Sequence, residues 1–175
     1  MNLKIEYHPF EPYVPKNSRF FILGSFPGKE STQQKINDDW FYGAKRNQFW
    51  KILAKVYNVD LKTKKDKQAI FEKLKIAITD IIISCERSEN GNLDRNLINK
   101  SYNFIKIEEI LKNNKIERIL FTSKSVESEF NEQFSDIIEP TINIERIALP
   151  SPSPVFRRMN ITEKVTVYKQ LLPKL

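Results

Sequence analysis

Four apolar segments rich in β-branched and aromatic residues recur along the chain, and segments with helical periodicity separate them. The four segments are 19–23, 76–83, 116–121 and 142–149. Strands that alternate with helices are typical of a parallel sheet covered by helices, so the pattern predicts an α/β fold. The first two segments are apolar almost throughout and are expected to be buried. The fourth alternates, which predicts an edge or half-covered strand.

Residues with helical spacing fill the regions between these strands and after the last one. Segments 49–57, 70–76 and 104–111 each carry an apolar face at intervals of three and four residues. A final helix, reaching Leu172, is predicted from the capping box Asn160-Ile161-Thr162-Glu163. The length of 175 residues fits one domain with a substantial core, so we expect a single domain over residues 1–175.

Single copies of histidine and cysteine restrict the chemistry that the chain can perform. His8 and Cys85 cannot form a Cys/His zinc site, an iron–sulfur cluster or a disulfide framework within one chain. We expect His8 in a surface or packing role and Cys85 as a buried small hydrophobic residue. The sequence therefore predicts no metal centre and disfavours mechanisms that use a histidine base.

The charge balance favours a polyanionic partner. The formal net charge is +7 at pH 7, and a basic excess is typical of proteins that bind nucleic acids. No apolar run approaches the roughly 20 residues that span a bilayer, and the N-terminal segment Met1–His8 lacks the apolar block of a signal peptide. We therefore expect a cytoplasmic protein with no membrane partner.

Three loops carry residues suited to ligand binding, and two of them directly follow predicted strands. Open α/β sheets bind ligands at the carboxyl ends of their strands. The first strand runs into Gly24-Ser25-Phe26-Pro27-Gly28, which matches neither glycine-rich phosphate-binding motif. Two glycines and a proline in five residues impose a tight path, which is either a simple turn or a close approach to a ligand.

The fourth strand runs into Leu149-Pro150-Ser151-Pro152-Ser153-Pro154. Three prolines fix this backbone, so Ser151 and Ser153 are placed to bind phosphate oxygens. Arg157 and Arg158 follow and can add charge-assisted contacts. As an isolated fragment the segment resembles a polyproline linker, but its position between a strand and a capped helix favours a binding loop.

The third loop, 40–50, mixes aromatic residues, two cations and amides directly before a predicted helix. Aromatic faces stack on nucleobases, and Lys and Arg neutralise phosphates, so this composition indicates nucleic-acid binding. Phe49 and Trp50 are expected in the core because they continue the helical apolar face. Tyr42, Lys45 and Asn47 belong to the polar part of the loop and are candidate ligand-binding residues.

Two carboxylates are candidates for catalysis: Asp80 lies in the second predicted strand, and Asp94 lies in the segment after it. Each could activate water, and each could equally cap a turn or bind Arg87, and we expect the structural role for both. Lys45 and Lys124 are the lysines to test as nucleophiles, although both are expected to be exposed.

Together, the three loops resemble the motifs of the uracil-DNA glycosylase superfamily, in the order and spacing found there. The likeness extends to 77–81, 85–87, 93–94 and 119–123, and it spans about residues 19 to 172. It is strongest to the hypoxanthine (deoxyinosine) DNA glycosylase branch, with mismatch-specific uracil/thymine glycosylases as the next relatives. The resemblance implies a three-layer α/β/α fold with a four-stranded parallel sheet, and neither a metal nor an organic cofactor.

The resemblance also assigns roles to matching positions. Asn47 would support catalysis, and Tyr42 would stack on a base flipped out of DNA. Ser151 and Ser153 would compress the phosphates beside the flipped nucleotide. Further residues of the base pocket would be Gly24, Ser25, Phe26, Pro27, Gly28, Thr122 and Ser123.

The remaining implied contacts are with DNA. Either Val155 or Phe156 would fill the gap left in the base stack, as apolar side chains do in other DNA-bending proteins. Lys45, Arg157 and Arg158 would hold phosphates.

The chain departs from the family pattern at several points, which include the absence of the histidine found in the second motif of classical uracil enzymes. Phe26 stands where relatives carry Asn or Asp, Ala44-Lys45 replaces a His-Pro pair, and Pro152 replaces a Thr. Phenylalanine can neither position nor deprotonate water.

The function implied is hydrolysis of the N-glycosidic bond of uracil or hypoxanthine in DNA by a monomeric, monofunctional glycosylase. The alternatives are a non-catalytic DNA-binding module that retains the base pocket, and a hydrolase of free nucleosides or nucleotides.

Overall fold

The computed structural model describes residues 3–33, 40–88, 93–138 and 143–175. Its strands and helices, in chain order, are β1 (Glu6–Tyr7), β2 (Phe20–Gly24), α1 (Lys29–Gln33), α2 (Phe49–Tyr57), α3 (Lys64–Leu74), β3 (Ile76–Asp80), β4 (Ile82–Arg87), a 3₁₀ turn (Asp94–Asn96), β5 (Leu97–Tyr102), α4 (Phe104–Asn113), β6 (Arg118–Phe121), α5 (Lys124–Gln133), α6 (Ser135–Ile138), β7 (Glu145–Ala148) and α7 (Ile161–Leu171).

A four-stranded parallel sheet with the order β3-β2-β6-β7 forms the centre of the molecule. Side chains of β2 alternate between its two faces: Ile22 packs into one core cluster, and Phe21 and Leu23 pack into the other. β7 lies at an edge, as its alternating sequence predicts. All residues of β3 are buried, as its apolar sequence predicts.

Helices cover both faces of this sheet. Apolar side chains of α2, α3 and α7 pack on the face that contains Ile22. Apolar side chains of α4 and α5 pack on the face that contains Phe21 and Leu23. The predicted three-layer α/β/α fold with a four-stranded parallel sheet is therefore confirmed.

The prediction of one continuous strand over residues 76–83 is wrong. The chain leaves the central sheet at Ile81, whose N–H donates to Gly24 O (2.8 Å), and the N–H of Ile82 donates to Ser25 O (3.2 Å). From Ile82 onward, β4 pairs antiparallel with β1 and β5 in a separate three-stranded sheet. β-branched residues suit strands of either sheet, so the apolar run does not reveal where the chain changes sheets.

Other helix and strand boundaries differ from the predicted ones because of local backbone conformation. α3 ends at Leu74 because Lys75 adopts a left-handed conformation (φ 56°), so Ile76 begins β3 instead of extending the predicted helix. No strand is predicted from the sequence directly after residue 83, where the end of β4 and the 3₁₀ turn lie. The predicted final helix and its capping box are confirmed, and so is the buried position of Cys85. Residue 142 of the fourth predicted strand lies outside the described residues.

Candidate active site

A cavity of about 480 Å³ opens where the loops after β2, β6 and β7 meet the loop before α2. These loops leave the carboxyl ends of neighbouring parallel strands, which is where α/β sheets bind ligands. The structure brings most of the predicted site residues together in the wall of this cavity: Ser25, Phe26, Pro27, Gly28, Tyr42, Asn47, Thr122, Ser123, Ser151, Ser153 and Val155. Five others do not line it: Gly24, Lys45, Phe156, Arg157 and Arg158.

Gly24 lies behind the cavity wall, where two side chains press on its backbone. A Cβ atom at this position would meet the hydroxyl of Tyr42 and Oδ1 of Asp80. Glycine is therefore required here by close approach of these groups, and not by a positive φ. The residue shapes the site through Tyr42.

Tyr42 is held in place on three sides. Its backbone is left-handed (φ 59°), its ring packs against Phe49 with centroids 4.4 Å apart, and its hydroxyl donates to Thr122 Oγ1 (3.3 Å). Burial, reinforced by the negative charge of Asp80, raises the pKa of Tyr42 well above its usual value. Tyr42 is thus a neutral, fixed aromatic ring in the cavity wall, as a stacking platform requires.

Asn47 presents its amide with a defined orientation. Its side-chain oxygen accepts the N–H of Phe49 (2.9 Å) at the start of α2. A backbone N–H can only donate, so the accepting atom must be Oδ1, and the Nδ2 group is the part left to bind a ligand. Asn47 therefore acts toward the cavity as a hydrogen-bond donor.

The two serines of the loop after β7 also use their side-chain oxygens to accept a backbone N–H. Ser151 Oγ accepts the N–H of Ser153 (3.2 Å), and Ser153 Oγ accepts the N–H of Val155 (3.3 Å). Each hydroxyl uses its oxygen within the loop, so its proton remains available for an outside acceptor. The prolines fix this loop, and the N–H of Gln48 ties it to the start of α2 by donating to Pro152 O (3.0 Å).

Lys164 on α7 contacts the loop before α2 and the loop after β7. This role was not predicted from the sequence. Its ammonium donates to Gln48 Oε1 (2.8 Å) and to Ser153 O (3.3 Å). It is only 1% exposed, and burial lowers its pKa. Its Nζ also lies 5.3 Å from the centre of the Phe156 ring. A signal in the sequence could have indicated that Lys164 is buried, because it lies one turn before Tyr168 on the apolar side of the helix.

The two candidate wedge residues differ in accessibility. Val155 is 61% exposed and lies at the cavity rim, whereas Phe156 is half-buried beside Lys164. Of these two side chains, Val155 is therefore the more accessible at the cavity.

Asp80 belongs to a buried pair behind the cavity. His8 Nε2 lies 2.9 Å from Asp80 Oδ2, and both side chains are almost fully buried. The suggestion that Asp80 binds Arg87 is wrong, because Arg87 donates to the carboxylate of Glu6 (3.0 Å) instead. His8 has the packing role expected of it, with its ring near those of Phe26 and Phe41.

Arg87 fixes the loop after β2. Its Nη2 donates to Pro27 O (2.7 Å), and its guanidinium lies 5.7 Å from the centre of the Phe26 ring. Phe26 is thereby held between Arg87 and His8. Phe26 therefore places a packed aromatic ring in the cavity wall.

Asp94, in contrast to Asp80, faces the cavity. Burial raises the pKa of its carboxyl to about 6, the charges of Asp80 and Glu129 add to the rise, and the nearby Ser25 hydroxyl opposes it. Among the described residues that line the cavity, Asp94 and Arg46 carry the charges.

The remaining cations lie outside the cavity. Lys45, Arg157 and Arg158 are exposed, and Lys45 lines a shallower depression of about 290 Å³ beside Lys51 and Lys67. Within the described ranges no group of three or more His, Cys, Asp or Glu side chains is arranged to hold a metal ion. None of the helices in those ranges has the length and apolar character to cross a membrane.

Comparison with known families identifies the superfamily of the chain. The model of the Uracil DNA glycosylase superfamily matches residues 11–172. The chain belongs to this superfamily. The resemblance of its three loops to superfamily motifs is thereby confirmed, and the match covers every loop that lines the cavity.

Two relatives extend the assignment. A Methanosarcina barkeri protein named hypoxanthine DNA glycosylase is 28% identical over 118 residues, which cover 66% of this chain and 70% of the relative. A Methanosarcina acetivorans protein, solved by solution NMR and described as a candidate uracil DNA glycosylase, has a TM-score of 0.68 at 22% identity. This match covers 96% of this chain and 99% of that protein. The structural match establishes the shared fold, and the superfamily and its named relative support a DNA glycosylase role.

Proposed function

We propose that the protein is a monofunctional DNA glycosylase that hydrolyses the N-glycosidic bond of a deaminated base, uracil or hypoxanthine, extruded from DNA. The observation that carries the proposal is the cavity itself: a fixed tyrosine ring, a donating amide and two donating serines converge on one concave site. The M. barkeri relative named hypoxanthine DNA glycosylase supports this substrate class.

Extrusion is necessary because the glycosidic bond is inaccessible to a nucleophile within stacked duplex DNA. Unpairing and unstacking cost a few kcal/mol, and less for a mispaired base, which provides part of the selectivity. Tyr42 offers the extruded base a ring already fixed by Phe49, so little ordering is required on binding. Val155, exposed at the rim, would occupy the gap left in the stack.

The donors match the charges that bond cleavage creates. As the bond breaks, negative charge develops on the departing base and positive charge on the sugar. Asn47 Nδ2 would donate to the base, a fixed dipole directed at developing charge. The Ser151 and Ser153 hydroxyls would hold the flanking phosphates near the sugar, with Lys45, Arg157 and Arg158 contributing outside the cavity.

Hydrolysis by water, rather than attack by a lysine, fits the positions of the lysines. None of the described residues lining the cavity is a lysine, and Lys45 and Lys124 are both exposed. A Schiff-base nucleophile needs a desolvated amine within reach of the sugar. We include a monomeric state and a cytoplasmic location in the proposal, because one chain supplies all of these cavity residues and its substrate is DNA.

Phe26 favours one competing function, a DNA-binding module without catalysis, because this apolar ring lines the cavity. A panel of duplexes carrying uracil or hypoxanthine, followed by alkaline cleavage of abasic sites, separates the two functions. We expect base release by the wild-type protein. Binding without release from any lesion would support the module instead, and release from free nucleosides alone would indicate a nucleoside hydrolase.

The Asn47→Asp variant tests the role of the amide. Aspartate keeps an oxygen for the N–H of Phe49, so the start of α2 is preserved while the Nδ2 donor is lost. We expect the rate of base release to fall by at least about 10²-fold, typical for removal of one transition-state donor, with little change in melting temperature. Asn131→Asp, the same substitution at an exposed position on α5, is the matched control. Unchanged activity in Asn47→Asp would contradict the role of the amide.

A further inference from the structure

The cavity is rich in donors and poor in proton acceptors. Asn47, Ser151 and Ser153 each use their side-chain oxygen to accept a backbone N–H. These three side-chain oxygens are therefore already engaged and are unsuited to accept a proton from water. Hydrolysis nevertheless requires an acceptor, because a water molecule that forms a bond to carbon must lose a proton.

Asp94 provides the one carboxylate among the described residues that line the cavity. The side chain of Asp94 is not needed to close the 3₁₀ turn. The turn is closed by the backbone, where the N–H of Leu97 donates to the backbone oxygen of Asp94. Beside it, the buried hydroxyl of Ser25 interacts with the Asp94 carboxylate, and Ser25 also lines the cavity. A hydroxyl and a carboxylate side by side in a cavity wall offer a donor and an acceptor to a bound water molecule.

The charged surroundings of Asp94 are mixed. Asp80 at the end of β3 and Glu129 on α5 repel its negative form, and Lys100 on β5 attracts it. Lys100 is already paired with Glu129 (2.6 Å), and Asp80 with His8 (2.9 Å). Arg46 is the other charged residue of the described cavity wall, and the neutral Tyr42 lies within electrostatic range.

We propose that Asp94 is the general base of the reaction, with Ser25 helping to hold the attacking water; this inference rests on the proposed glycosylase function. The water oxygen forms a bond to C1′ and transfers a proton to the Asp94 carboxylate. The bond between C1′ and the base nitrogen breaks, and its electron pair leaves with the base, which Asn47 stabilises. The base anion then takes up a proton from solvent, and Asp94 releases its proton to solvent, so that the products are the free base and an abasic sugar.

The carboxylate must be ionised to accept this proton. Since the pKa of Asp94 is raised to about 6, kcat/KM should be constant above that value and fall as the pH decreases through it. A base with a pKa near the working pH combines the correct ionisation state with useful basicity. An aspartate with its ordinary pKa would leave the rate unchanged down to about pH 4.

The test compares wild type with Asp94→Asn in single-turnover base release from a hypoxanthine- or uracil-containing duplex between pH 4.5 and 8. The variant should be slower by about 10²- to 10⁴-fold, the usual contribution of a general base, and should lose the ionisation near pH 6. Its affinity for a duplex with a stable abasic-site analogue should be equal or higher, since a negative charge is removed. Asp136→Asn, on the exposed side of α6, is the matched control.

The outcomes separate this inference from the proposed function. If wild type releases no base from any lesion, the glycosylase proposal fails and this inference with it. If wild type is active and Asp94→Asn keeps its rate and pH profile, only the role of Asp94 is overturned. If the variant does not fold, the wild-type profile decides: an ionisation near pH 6 supports the inference, and a flat profile over this range overturns it.

Discussion

Individual residues of the cavity show how local backbone contacts set the direction of hydrogen bonding. Asn47, Ser151 and Ser153 would each be ambiguous in solution, since an amide or hydroxyl both donates and accepts. In the fold, each oxygen is bound to a backbone N–H two residues further along the chain. The side chains are thereby converted into donors, which suits phosphates and a departing anionic base.

Substitution of Gly24 tests the packing behind Tyr42. In Gly24→Ala the new methyl group would overlap the Tyr42 hydroxyl and Asp80 Oδ1. We expect a loss of about 1–3 kcal/mol in the free energy of unfolding, as for other overpacked sites, measured by urea denaturation, together with slower base release. Adding Tyr42→Phe removes one of the two overlapping groups and should recover part of the stability. Wild-type stability in Gly24→Ala would show that the two side chains move aside freely.

At the scale of secondary-structure elements, α7 fixes two loops of the cavity wall relative to each other, the loop before α2 and the loop after β7. Lys164 reaches from α7 to Gln48 at the start of α2 and to Ser153 in the loop after β7. The N–H of Gln48 and the oxygen of Pro152 join the same two segments directly. The donors on Asn47 and Ser153 therefore occupy one rigid arrangement.

Replacement of Lys164 by methionine should loosen this arrangement. Hydrogen bonds to a charged group contribute about 1.5–3 kcal/mol, and we expect the Kd for an abasic-analogue duplex to rise about tenfold. Fluorescence anisotropy at fixed salt measures this Kd. Lys169→Met removes the same charge from an exposed position of α7 and should change the Kd by less than about twofold. Equal effects of the two substitutions would mean that Lys164 acts only through its charge.

The elements themselves were predictable where periodicity was strong. α2 and α7 match their apolar faces, and β2 and β7 match the predicted central and edge strands. The small antiparallel sheet was missed because its strand β4 continues the apolar run of β3 without a change of pattern. α5 was missed because its few apolar residues, Val126 and Phe130, are separated by polar ones.

The loops that form the site could be predicted from the sequence, but the contacts that hold these loops in place could not. Motif residues such as Tyr42, Asn47 and Ser151 meet at the cavity because strand order places their loops side by side. Lys164 binds Gln48, which is 116 residues away in the sequence, and His8 binds Asp80, which is 72 residues away. Periodicity carries no information about such distant partners. The role of Asp94 became distinguishable from that of Asp80 only through their positions, one in the cavity wall and one behind it.

At the scale of the whole molecule, the central claim is that this cavity receives one nucleobase extruded from DNA. A crystal structure of the protein with a duplex containing 2′-fluoro-deoxyinosine or 2′-fluoro-deoxyuridine tests it, because the fluorine destabilises positive charge on the sugar and slows cleavage. We predict the modified base beside Tyr42, with its flanking phosphates bound by Ser151 and Ser153. A complex in which the base remains stacked in the duplex and the cavity is empty would contradict the account.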